Sequence, residues 1–151
     1  FTGLRIGVSA LKGLAWAEDK PCCGVSTLEA MAQNGRLFTG TVVCAMDARR
    51  QQIYNAVFGC RDGVLERRCA DRAVALEILA DELKNDNNRK IVVGDGAKLC
   101  YTYLLEHGLP CSMAPAAVRA FRRYTAASVS ARRSGSGWPR DCPLHWRINK
   151  F

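Results

Sequence analysis

Histidine is scarce in this chain: the 151 residues hold only two, His107 and His145. A His-x-x-x-His metal pair is therefore excluded within the sequence, and neither histidine lies at ligand spacing from a cysteine pair. Cysteine is present eight times, but no two form a Cys-x-x-Cys motif. Most of the cysteines sit inside apolar runs, so free buried thiols acting as small hydrophobes are expected rather than disulfides or zinc ligands. There is no Gly-x-x-x-x-Gly-Lys-[Ser/Thr] phosphate loop. Ser9, Ser26 and Ser128 lack a nearby His–Asp grouping, and Gly135-Ser136-Gly137 lies in a turn-like stretch, so no nucleophilic constellation is complete. No apolar run reaches the roughly 18 residues of a membrane span. Arg5 and Lys12 interrupt the first apolar stretch as they would not in a secretory signal. The expectation is a cytoplasmic protein with no membrane contact, no metal and no cofactor.

What is present is positive charge, unevenly placed. The chain carries 22 basic and 14 acidic residues, a net charge of +8. Residues 119–151 hold 8 of the basic residues and a single acid, so nearly all the excess lies there. Arg119, Arg122, Arg123, Arg132, Arg133 and Arg140 alternate with Phe121, Tyr124 and Trp138, a pattern that can serve RNA phosphates and bases. Helical spacing also puts Phe121 and Tyr124 near one face, which suits a core stripe equally well.

The order of elements is legible from periodicity. Residues 3–19 read as a helix in which Leu4, Val8, Leu11 and Ala15 form an apolar stripe. Gly3, Gly7 and Ala10 line a second, nearly smooth face. Glycine inside a helix costs roughly 1 kcal/mol against alanine. Keeping it suggests close backbone approach, either to the chain's own sheet or to a helix of another subunit. Pro21 ends this helix and CCGVS reads as a short buried strand. Ser26 is then an N-cap, with Glu29 at the capping-box position, for a helix through about Gln33. TVVCAMD, IYNAVFGC and VLERRC follow as strand-like runs separated by ARRQQ and RDG, an antiparallel meander. A helix is expected over about 72–84, with Leu76, Leu79, Ala80 and Leu83 on one face. KIVVG is a short buried strand, and Asp95-Gly96 opens a helix through about His107. Leu109–Met113 reads as a further strand, and a last helix is expected over 116–133. From residue 41 the order is thus β-β-β-α-β-α, that of an actin/hexokinase/Hsp70-type lobe, a mixed sheet with helices packed on it. The division expected is residues 1–38 as the end of a first lobe, 39–133 as a second lobe and 134–151 as a tail.

Two turns carry charge or glycine in a pattern worth testing. Asp47, Ala48, Arg49 and Arg50 close the first hairpin, where the choice is between a turn-capping aspartate with solvated arginines and a charged contact to a partner or to an RNA phosphate. Gly94-Asp95-Gly96 ends a buried strand and opens a helix, a place where this superfold cradles nucleotide phosphates. The competing reading is a tight turn that needs glycine on steric grounds alone. An ATP-dependent enzyme of the superfold and a basic RNA-binding protein are the two alternatives these residues keep open.

The longer motifs carry a family resemblance. FTGLRIGVSALKGLA, GVSTLEAMA and VVCAMDARRQQIYNAVF, in that order, resemble the TsaB family, also called YeaZ, of the tRNA threonylcarbamoyladenosine machinery. VGDGA at Val93–Ala97, Ala126-Ala127-Ser128-Val129 and Pro143-Leu144-His145-Trp146-Arg147 fit the same pattern, while Ser130 to Asp141 departs from it. In that family further strands and a helix precede the first motif, so the resemblance implies a chain lacking the start of its first lobe. It also implies a non-catalytic scaffold that binds TsaD, the threonylcarbamoyl transferase subunit, together with TsaE, an ATPase. Homodimerisation and contact with tRNA through the complex are implied as well. The first helix would then supply the partner or dimer interface, through Gly3, Leu4, Arg5, Gly7, Val8, Ala10, Leu11 and Lys12. The label glycoprotease-like, often attached to this family, finds no support in these residues.

Overall fold

The computed structural model describes residues 2–17, 24–50 and 52–116. Helix α1 spans Thr2–Ala17 and α2 spans Thr27–Ala32, followed by a 3₁₀ turn at Gln33–Gly35. Strands β1 (Gly40–Asp47), β2 (Gln52–Arg61), β3 (Val64–Arg67) and β4 (Arg72–Ala75) come next. Helix α3 (Leu76–Lys84), β5 (Lys90–Val93), α4 (Ala97–Glu106) and β6 (Ser112–Met113) complete the series. By contacts, α1 belongs to one compact unit and the elements from α2 to β6 to another, and each is described by itself.

The second unit is built on one mixed sheet of strand order β3-β2-β1-β5-β6. β1 and β2 pair antiparallel along their length, from Gly40 opposite Cys60 to Asp47 opposite Ile53. β5 lies parallel to β1, and β6 parallel to β5. The outer edge of the long β2 is shared: its C-terminal half pairs with β3 and its N-terminal half with β4, both antiparallel. The meander read from the sequence is therefore present, with a fourth strand added to it.

Side-chain alternation on the sheet divides the core in two, because successive residues of a strand face opposite ways. Val43, Ala45, Ile53, Val57 and Val92 meet Leu76, Leu79, Ala80 and Leu83 of α3 and Ala97, Cys100 and Leu104 of α4. Val42, Cys44, Ala56, Phe58 and Val93 meet Leu28, Met31 and Ala32 of α2 on the other face. A strand covered on both faces must be apolar throughout, and Thr41–Ala45 of β1 is fully buried without a break. The helix face expected from Leu76, Leu79, Ala80 and Leu83 is the buried face of α3.

Three expectations need correction, and a fourth falls outside the described residues. The segment 72–75 is strand, not the start of a helix: Gln52–Asn55 offers it a free edge, and the helix begins only at Leu76. Its N-cap is Ala75, whose side chain has no oxygen to signal the boundary. Gly24–Ser26 forms no strand, since these residues have no sheet neighbour and lead directly into α2; Cys22 and Cys23 lie outside the described residues. The expected strand 109–113 shrinks to Ser112–Met113, because β5 offers it only Ile91 and Val92 as partners. The last expected helix, over 116–133, lies outside the described residues beyond Ala116.

Ser26 is the N-cap of α2, its hydroxyl accepting from the Glu29 amide at 3.0 Å. The same hydroxyl donates to Asp71, which also accepts from Arg67, and Arg67 reaches Glu29 at 3.1 Å. The Arg67 guanidinium lies 4.8 Å from the centre of the Phe58 ring. This network fastens the start of α2 to the segment joining β3 and β4. Burial alone would raise the Asp71 carboxyl, but the hydrogen bonds from Ser26 and Arg67 and the Arg67 charge outweigh it and hold it below the ordinary value.

Candidate functional site

The two turns singled out in the sequence meet in space. β1 and β5 are parallel, so Asp47 and Gly94 lie at the same, C-terminal end of neighbouring strands. That is the end of an α/β sheet where ligand sites ordinarily form. The amide of Gly96 donates to the carbonyl of Ala45 at 3.1 Å and to the carboxylate of its neighbour Asp95 at 2.9 Å. A Cβ added to Gly94, whose φ is +117°, would lie 2.0 Å from the Ala45 carbonyl oxygen. One added to Gly96 would lie 2.8 Å from the Asp47 nitrogen. Both glycines are thus required by the chain's own backbone, and the Gly96 donor that a phosphate would use is already taken. The steric reading of Gly94-Asp95-Gly96 accounts for what is seen.

The hairpin beside it has a different character. The Asp47 carboxylate accepts from the Arg49 amide at 2.7 Å and caps the turn. Arg49 and Arg50 both adopt left-handed backbone conformations, with φ of 66° and 52°. For a residue with a Cβ this costs roughly 1–2 kcal/mol each. Both side chains are exposed. The capping aspartate and the exposed arginines are both present, so the hairpin presents two guanidinium groups beside residues in strained backbone conformations.

Nucleophilic chemistry finds no foothold nearby. Cys44 is buried under α2, its thiol donating to the Leu28 carbonyl, and burial pushes its pKa far up. Burial, with the neighbouring Cys111 adding to it, pushes Cys100 up to about 12. Both remain protonated thiols at neutral pH. Cys44, Cys60, Cys69, Cys100 and Cys111 are free, as the cysteine spacing led one to expect. Among the described residues no group of three His, Cys, Asp or Glu side chains is placed to hold a metal ion. Nor is any helix among them long and apolar enough to cross a membrane.

The remaining site residues lie on α1. This helix is exposed along its length except at Ala15. Leu4 is 71% exposed and Leu14 73%, and Ile6, Val8, Leu11 and Trp16 are exposed as well. Cβ atoms added to Gly3, Gly7 or Gly13 would meet nothing within 4 Å. Ile6 and Leu14 are exposed off the predicted stripe, which the sequence did not signal; nothing in a helical repeat tells whether a second apolar face is covered.

A mixed sheet covered on both faces by helices, with a hairpin and a strand-to-helix turn side by side at one end, defines an α/β lobe of the actin/hexokinase/Hsp70 type. Likeness to solved structures agrees on the fold. YeaZ from Pseudomonas aeruginosa superposes with a TM-score of 0.68 at 20% identity, over 99% of this chain and 69% of that one. A second Pseudomonas aeruginosa structure, of a protein with similarity to peptidase YeaZ, gives 0.64 at 22%, over 97% and 68%. Residues 1–131 match the family model described as TsaD: tRNA N6-adenosine threonylcarbamoyltransferase. The tRNA threonylcarbamoyladenosine biosynthesis protein TsaB of Bacillus subtilis is 38% identical over 99 residues, covering 66% of this chain and 43% of that protein. The Escherichia coli protein of the same name is 34% identical over 100 residues, covering 64% and 43%. With these matches and the motifs above, the chain belongs to the TsaB/YeaZ family. It spans less than half the length of the curated relatives it matches.

Proposed function

We propose that this chain acts as a non-catalytic partner subunit in the formation of N6-threonylcarbamoyladenosine in tRNA. In this reading it binds a TsaD-like subunit, with a TsaE-like ATPase joining and tRNA held by the assembly. The observation that carries the reading is α1, in a chain whose relatives are named for this pathway. Burying an apolar side chain such as Leu4, Val8 or Leu11 contributes about 2 kcal/mol. A soluble helix that leaves so many of them exposed is one that a partner covers. Gly3, Gly7 and Ala10 leave the backbone open to a second helix, with Arg5 and Lys12 at the border to set orientation. A homodimer through the same face would satisfy the same residues.

The end of the sheet bearing Asp47, Ala48 and Arg49 beside Gly94-Asp95-Gly96 supports a contact rather than catalysis. The amides of Ala48, Arg49, Gly96 and Ala97 there are already engaged within the chain, and the Arg49 and Arg50 side chains are exposed. Size-exclusion chromatography with light scattering, on this chain mixed with the TsaD-like subunit of the same source, tests the proposal. A stoichiometric complex is expected. Separate elution of two folded proteins would overturn it and move weight to a nucleotide-binding enzyme, for which ATP calorimetry is the direct check.

A further inference from the structure

At the opposite end of the sheet, where β1 and β5 begin, two open depressions adjoin. The larger, of about 820 Å³, lies against the starts of β1 and β3 and the end of β2. The smaller, of about 470 Å³, lies between the α3–β5 loop and the segment leading to β6. They share Asn87, Asn88 and Arg89, so one continuous track runs around that loop. Its walls hold five cations, Arg61, Arg68, Arg89, Lys84 and Lys90, against the acids Asp62, Glu66 and Asp86.

The cations are not equally spent. Lys84 pairs with Asp81, and Arg68 with Asp86. Arg61, Arg89 and Lys90 have no carboxylate partner among the described residues. Lys90 is only 5% exposed and is held by the backbone carbonyls of Asp86 and Asn88. Its charge thus adds to the field of the track without an ion pair to cancel it. Arg68 is fixed by Nη1, which donates to Thr41 at 3.1 Å and to Asp86 at 3.0 Å. Its other nitrogens, Nε and Nη2, lie over Gly59, where a Cβ would come within 3.0 and 3.1 Å of them. Glycine at this position leaves room for a guanidinium laid flat along the groove, with donors to spare. Arg89 is placed over the Phe38 ring, 5.4 Å from its centre.

We infer that this track binds the sugar–phosphate backbone of RNA, giving the folded unit a nucleic-acid contact of its own. The floor is glycine and asparagine, Gly40, Gly59, Asn87 and Asn88, and offers no deep apolar anchor of the kind peptide recognition relies on. An extended groove with planar, partly unspent guanidinium groups suits a chain of phosphates. The choice of RNA among polyanions rests on the function proposed above; the presence of a polyanion track does not.

The test is fluorescence anisotropy of the full chain with a short labelled single-stranded RNA of mixed sequence, titrated across salt concentrations. Arg61→Ala/Arg89→Ala is compared with Arg36→Ala/Lys98→Ala, which removes equal charge from exposed positions outside the track. For the first pair, affinity is expected to fall roughly fivefold or more, and the slope of log K against log salt to shrink by about 1.4, or about 0.7 per lost contact to a single strand. The second pair is expected to change little. Equal effects of the two pairs would mean net charge alone and would overturn the proposal. No effect of either would place RNA binding on the basic residues of 119–151 and overturn it as well. An acidic peptide that binds and is lost in the first pair, where RNA is not, would overturn the assignment to RNA. Co-elution of Arg61→Ala/Arg89→Ala with the TsaD-like subunit separates this inference from the partner reading: it should persist even where RNA binding is lost. Loss of co-elution by the unaltered chain, with RNA binding intact, would sink only the partner reading.

Discussion

Glycine does opposite work in α1 and in the turn between β5 and α4. Gly94 and Gly96 face the chain's own β1 so closely that a single added carbon would collide with backbone. Gly3, Gly7 and Gly13 face open space. The first pair is explained within the fold. The second set weakens its own helix by roughly 1 kcal/mol per residue, and a side chain there would meet nothing within 4 Å among the described residues. On the function proposed above, this cost is met by a second molecule, which makes α1 the place to look for a partner.

The sharpest way to break that comparison is Gly94→Ala. The clash with Ala45 and the positive φ together should cost about 4 kcal/mol, measured by urea denaturation of the full chain. A loss under about 1 kcal/mol would mean that the turn can shift and that the glycine is not sterically required. Gly7→Leu should behave the other way. Folding stability should stay within about 1 kcal/mol of the unaltered chain, while association with the partner weakens tenfold or more, read by light scattering and calorimetry. Unchanged association with normal helicity would remove the small face from the interface.

Ser26→Ala sharpens the contrast from the side of the sheet. It removes the cap of α2 and one support of Asp71, and should cost about 1 kcal/mol in the same denaturation assay. The smallest effect concerns acid. Asp71, Asp86 and Glu82 all have lowered carboxyl pKa values: Asp71 and Asp86 despite burial, through hydrogen bonds from Ser26 and Arg67 and from Thr41 and Asn88, and Glu82 through its hydrogen bond from Arg72. A carboxyl whose folded pKa lies below its unfolded value stabilises the fold above the unfolded pKa. That stability is lost as pH falls through the folded one. Stability of the sheet unit should therefore be flat from neutral pH down to about 5 and then decline, with Asp71→Asn flattening part of the decline. An unchanged acid profile in Asp71→Asn would show that the Ser26–Asp71–Arg67 network is not linked to folding.

Most of the sheet was legible because its signals are local. The apolar runs of β1 and β2, the turn residues between them, the Ser26 cap and the Leu76/Leu79/Leu83 stripe all follow from residues near one another in sequence. β4 was not legible. Arg72-Ala73-Val74-Ala75 has no turn before Leu76 and no capping side chain, and it becomes a strand only because Gln52–Asn55 lies beside it. The acid–arginine network around Asp71 was hidden for the same reason: Ser26, Glu29 and Arg67 come together only when α2 docks on the sheet.

By itself the sequence determined the family, the free state of the cysteines that the structure describes, and the two turns that meet at one end of the sheet. These depend on residue identity and on spacing within single elements, which the chain carries wherever it folds. Tertiary structure alone decided which glycines are sterically obligatory and where unpaired arginines gather. Both depend on the distance between segments far apart in sequence, and only strand pairing sets that distance: the parallel register of β1 on β5 presses Gly94 against Ala45, and at the other end it joins the antiparallel pairing of β1 with β2 to leave Arg61 and Arg89 lining one groove.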